Sequence, residues 1–170
     1  MIAATTLAAI HGISILITTI SLLISMVCDV RKYILPNIAS VAIILSFLLF
    51  AVSTLTLEVI FYHIITALVV FALSFFFYLK KTFGAGDVKL LSAISLLAGP
   101  QAIIPLLFIV SIAGGLLGVF IIFAAYLKRT HTQEKQQEET PLLKIKIPYG
   151  LAIGCGGLFL MYQHLSLIIS

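Results

Sequence analysis

The stretch Asp87-Val88-Lys89-Leu90-Leu91-Ser92-Ala93-Ile94-Ser95-Leu96-Leu97-Ala98-Gly99-Pro100 decides how this chain folds. It opens on a carboxylate, continues as an apolar run over 88–99, and stops at Gly99-Pro100, a normal helix stop. At 1.5 Å per residue the run reaches only ~18 Å, against ~30 Å of bilayer hydrocarbon. The other apolar runs, 7–28, 38–56, 59–79, 102–127 and 148–169, all approach the ~20 residues a crossing helix needs. The topology therefore turns on whether the short run crosses.

The chain of 170 residues is 62% hydrophobic and 9% charged, with a mean hydropathy of +1.24. A soluble domain carries about 25% charged residues. One small core cannot hide so much apolar surface, so the expected solvent is lipid. The expected fold is all-α: a polytopic membrane bundle of about six transmembrane helices, the fourth short, forming one domain over 1–170.

The basic residues favour a crossing. Arg31 and Lys32 follow the first run, Lys80, Lys81 and Lys89 flank the gap after the third, and Lys128, Arg129, Lys135, Lys144 and Lys146 follow the fifth. These ten fall on one side only if all six runs cross. That side is then cytoplasmic, with both termini outside. A re-entrant fourth run would move the polar 128–147 stretch, expected as a solvated cytoplasmic loop, to the outside. The net charge of +4 thus reports topology, and no nucleic-acid partner is expected. The N-terminus lacks a basic segment and its apolar run is long enough to span, so a cleavable signal is not expected.

A short fourth helix would recess its cytoplasmic end below the membrane surface, and Asp87 lies at that end. Asp29 lies at the cytoplasmic end of the first run. Carboxylates at membrane depth cost about 3 kcal/mol on insertion scales, which makes both functional candidates. Gly84 and Gly86 allow a tight turn before Asp87, which falls in the first turn of its helix, where the dipole favours an anion. Asp29 sits at a helix C-terminal end, where the dipole opposes one. If the fold joins them, both cannot easily ionise, and one carboxylate would hold a proton while the other activates water. On the dipole argument Asp29 is the more readily protonated member.

Structural roles are the alternative. Asp29 could pair with Arg31 or Lys32, and Asp87 could cap its helix or pair with Lys89. Gly114-x-x-x-Gly118 and Gly150-x-x-x-Gly154 read as helix-packing faces, although Pro148-Tyr149-Gly150 could instead shape the approach to the site. His11, His63 and His164 read as packing or interfacial residues. Cys28 and Cys155 form no paired motif, and no His pair has ligand spacing, so a zinc site or redox motif is not expected.

Three stretches resemble one family, the type IV prepilin peptidases, aspartic membrane proteases with a Gly-x-Gly-Asp signature. They are Gly84-Ala85-Gly86-Asp87-Val88-Lys89-Leu90, Asp29-x-Arg31-x-x-x-Leu35-Pro36-Asn37 and Ile147-Pro148-Tyr149-Gly150. The closest likeness is to short members serving Flp-type pili. The resemblance implies an endopeptidase that removes the leader of prepilins or pseudopilins at the cytoplasmic face of a bacterial inner membrane, for pilus assembly or secretion. It implies Asp29 and Asp87 as the catalytic pair, without metal or organic cofactor. Gly84, Gly86, Lys89, Arg31, Pro36 and Asn37 are the expected supporting residues, with Pro36 in the first turn of the second helix. The cytoplasmic Cys-x-x-Cys domain of longer members is missing, so N-methyltransferase activity is not expected.

Two rivals come from other classes. A small proton-coupled transporter would spread carboxylates through the bilayer and show an inverted repeat, and neither is seen. A non-catalytic membrane subunit of a pilus or secretion system would tolerate Asp29→Asn and Asp87→Asn.

Overall fold

The computed structural model describes residues 2–131 and 148–169, and most of the expected 128–147 loop lies outside them. The described residues form five helices: α1 (Ile2–Lys32), α2 (Asn37–Thr54), α3 (Leu57–Leu79), α4 (Ala85–His131) and α5 (Tyr149–Ile169). Five helical elements are described where six were expected, because the expected fourth and fifth runs abut at Gly99, a non-helical residue that divides α4 into two arms. Three helical stretches, Ala9–Lys32, Leu57–Leu79 and Ala85–Ala124, are long and apolar enough to cross a membrane. Large apolar side chains such as Leu16, Leu68 and Phe120 lie exposed along the helices, as lipid contact requires.

The junction inside α4 is Gly99, whose φ of +62° is a left-handed conformation that glycine adopts without a Cβ penalty. Contacts with α5 show what the kink does. The Phe83 ring lies tilted against Tyr149 and Ile94 lies against Gly157, so the first arm of α4 runs alongside α5 in the same direction. Gly114 meets Tyr149 and Ala152, whereas Leu106 and Val110 meet Gly156, so the second arm runs the opposite way. The chain therefore reverses at Gly99 without an intervening loop.

Pro100 has no N–H, so the carbonyl four residues earlier, that of Leu96, has no helical donor. His63 of α3 supplies the missing partner: its Nδ1 lies 2.8 Å from the Leu96 oxygen. The imidazole fills the space that a Cβ at Gly99 would take, and it stacks on Phe47 at 5.5 Å between centroids. His63, read from sequence as packing or interfacial, is thus the buried partner of the reversal.

Helices α1, α2, α4 and α5 pack in a closed ring, and α3 lies against α4. In lipid, helices associate through close packing and interhelical hydrogen bonds rather than the hydrophobic effect. Both are visible. Gly150, Gly154 and Gly157 of α5 receive Asp29, Met26 and Leu22 of α1, so the Gly150-x-x-x-Gly154 face is a packing face. On α1, Ser14, Thr18, Ser21, Ser25 and Asp29 make one buried polar stripe at helical spacing. Ser46 of α2 joins it, 2.6 Å from Thr18 Oγ1 and 3.2 Å from Ser14 Oγ, and its carbonyl accepts from Ser14 at 2.9 Å.

Two helix ends matter for the site. Tyr33, at φ +52°, ends α1 and donates its N–H to the Asp29 carbonyl. Lys81, at φ +59°, ends α3, with its N–H on Tyr78 and that of Thr82 on Phe77, the bond pattern of a Schellman cap.

Candidate active site

Asp29 and Asp87 come together at one end of the helix ring. Both are buried, at 5% and 8% exposure. Asp87 is the third residue of α4, and its Oδ2 accepts the N–H of Gly84 at 3.0 Å. This is half of a capping box, so Asp87 closes the N-terminus of its own helix. Asp29 sits in the last turns of α1, and its Oδ2 accepts the N–H of Leu151 at 3.2 Å from the first turn of α5.

Each carboxylate therefore faces a helix N-terminus, where unsatisfied N–H groups and the dipole favour an anion. The dipoles of α1 and α4 favour protonation of Asp29, but α5 brings Asp29 a backbone donor of its own, so dipoles alone do not rank the two. The partner of Asp29 is on α5, and Arg31 and Lys32 are exposed. Leu35 links the two: its side chain lies against Gly86, next to Asp87, and against Gly150, which abuts Asp29 Oδ2.

Glycines admit this approach. A Cβ at Gly150 would lie 2.8 Å from Asp29 Oδ2 and 2.7 Å from Leu35 Cδ2. One at Gly86 would lie 2.8 Å from Leu35 Cβ, and one at Gly84 would lie 2.9 Å from Asp87 Oδ2. Neither Gly84 nor Gly86 uses a left-handed conformation. Both admit close neighbours, Gly84 at the end of the turn before α4 and Gly86 inside the helix rather than in that turn.

Of the supporting residues expected from sequence, Lys89 and Asn37 meet each other: Nζ donates to Asn37 Oδ1 at 3.1 Å on the exposed side. That bond ties the start of α2 to the second turn of α4. Pro36 precedes α2 rather than lying in its first turn, with φ −71° and ψ 126°, and its carbonyl accepts the Ala39 N–H. The extended ψ places Pro36 at the cap position. Arg31, two residues after Asp29, is exposed. Leu35, Gly150 and Leu151 were not among those expected residues, although the Pro148-Tyr149-Gly150 motif pointed to this helix entrance. Among the described residues, no group of three or more His, Cys, Asp or Glu is placed to hold a metal ion.

Fold and site together define an all-helical, membrane-type protein with a buried two-carboxylate site at one end. Residues 16–119 match the type IV leader peptidase family, and the chain belongs to that family. The matched region carries both aspartates and ends before α5, which contributes the Leu151 donor. No curated protein and no solved structure gave a significant match.

Proposed function

We propose that this protein is an aspartic endopeptidase that removes the leader peptide from prepilins or pseudopilins, of the Flp type, at the cytoplasmic face of a bacterial inner membrane. The observation that carries the reading is the meeting of Asp29 and Asp87. Two buried carboxylates from separate helices converge at one end of the ring, each held by a backbone N–H. Membership of a leader peptidase family supports peptide-bond hydrolysis as their task.

The pair holds one proton between its two members. The ionised carboxylate takes a proton from water as the water oxygen bonds to the scissile carbonyl carbon. The protonated carboxyl gives its proton to the carbonyl oxygen. Collapse of the tetrahedral intermediate breaks the C–N bond, and the amine leaves with a proton from the pair. Backbone donors to each carboxylate fix their orientation, so little reorganisation accompanies the step.

The charge pattern supports the cytoplasmic placement. Arg31, Lys32, Lys80, Lys81 and Lys89 lie at or beside the aspartate end of their helices. The exposed Lys89 and Asn37 pair stands at the same end, suited to meeting a polar leader.

The test is leader removal from a prepilin by the purified protein in lipid, compared with Asp29→Asn and Asp87→Asn. Cleavage by wild type and none by either variant is the expected outcome. Cleavage at the wild-type rate by either variant sinks the two-aspartate mechanism and favours a non-catalytic membrane subunit.

A further inference from the structure

Resting on the peptidase reading above, we infer that Leu35 is a positioning residue: a wedge between the Asp87-bearing turn and the α5 entrance that sets the spacing of the two carboxylates. Leu35 lies in the connector between α1 and α2, outside any helix. Its Cβ is 2.8 Å from where Gly86 would carry a Cβ, one residue before Asp87. Its Cδ2 is 2.7 Å from the corresponding point on Gly150, the position that also abuts Asp29 Oδ2. One side chain thus touches both glycine backbones that border the pair. It also packs on the hydrophobic core.

The connector is fixed at both ends. Tyr33 turns the chain through a left-handed residue tied to the Asp29 carbonyl, and Asn37 accepts from Lys89. Leu35 has little freedom to withdraw, so its volume sets how closely α4 and α5 approach. Asp87 rides on the first and Asp29 hydrogen-bonds to the second. Leu35 touches neither carboxylate through a polar group. It acts through the two glycine backbones.

The length of the side chain decides the outcome. Valine keeps Cβ against Gly86 but lacks the δ methyl that reaches Gly150, whereas methionine keeps the reach. Prepilin cleavage by folded protein, recovered as a single gel-filtration peak in detergent, gives kcat and KM separately. Leu35→Ala and the milder Leu35→Val are expected to lower kcat by about tenfold or more, because misplacement by about 1 Å costs up to ~10²-fold. KM should stay within about twofold, and Leu35→Met should keep kcat within about threefold. Wild-type kcat in Leu35→Val, beside an inactive Asp87→Asn, overturns the role of Leu35 alone. A raised KM with unchanged kcat also overturns it, because that marks a substrate contact. Wild-type cleavage by Asp87→Asn overturns this inference together with the peptidase reading.

Discussion

Replacing Gly150 by alanine adds one methyl group at the point where α5 meets both Asp29 and Leu35. That methyl would lie 2.8 Å from Asp29 Oδ2, 3.0 Å from its Cγ and 2.7 Å from Leu35 Cδ2. Reaching ordinary contact requires about 0.6–0.7 Å of retreat by each neighbour. Leu35 is held by its connector and Asp29 by the Leu151 N–H, so neither moves without loss. Overpacking of this kind costs about 1–3 kcal/mol of stability. The shift at the carboxylate is of the size that costs ~10²-fold in rate. Gly115→Ala is the matched control, because nothing lies within 4 Å of its added methyl. Both sites are helical, so alanine gains about 0.5–1 kcal/mol of helix propensity in each. The assay is prepilin cleavage per folded protein, with thermal unfolding in the same detergent. Gly150→Ala should lose about two orders of magnitude in rate, while Gly115→Ala keeps the wild-type rate and gains about 0.5–1 kcal/mol of stability. Equal activity in the two variants would refute the close-packed geometry at Asp29.

Two further predictions concern the frame. His63→Ala strands the Leu96 carbonyl beside Pro100 and empties the space over Gly99, so it should lower unfolding stability by about 2–4 kcal/mol. His63→Phe should recover the packing part only, and calorimetry of both variants separates the two contributions. Ser46→Ala removes the side-chain link to Thr18 and Ser14 and should cost about 0.6–1.7 kcal/mol, the range for interhelical bonds in membranes, measured by denaturant unfolding in micelles.

The frame was legible in part, for identifiable reasons. Long apolar runs marked α1, α2, α3 and α5, since lipid-facing helices have apolar residues on nearly all sides. The short run before Gly99-Pro100 marked the reversal. It did not reveal that the turn between the two runs is a single residue, Gly99, with helical geometry resuming directly after it. The partner of the Leu96 carbonyl had a signal in the sequence: a proline strands the carbonyl four residues back, and a buried histidine is a suitable donor. The stripe of Ser14, Thr18, Ser21 and Ser25 leading to Asp29 was likewise available from its spacing. The Leu151 donor was not. It meets Asp29 across the whole chain, and backbone N–H groups carry no residue-specific mark. Gly84 and Gly86 were recognised, but their use is steric: the sequence shows a missing side chain, not which neighbour occupies the space.

The central claim is that Asp29 and Asp87 act as one unit. The direct measurement is single-turnover prepilin cleavage by Asp29→Asn, Asp87→Asn and the double variant, each folded and in lipid, followed by mass spectrometry. Groups that act together are strongly non-additive, so each single variant should lose at least about 10⁴-fold and the double should lose no more than the weaker single. Losses that multiply in the double variant, or wild-type cleavage by either single variant, would contradict the account.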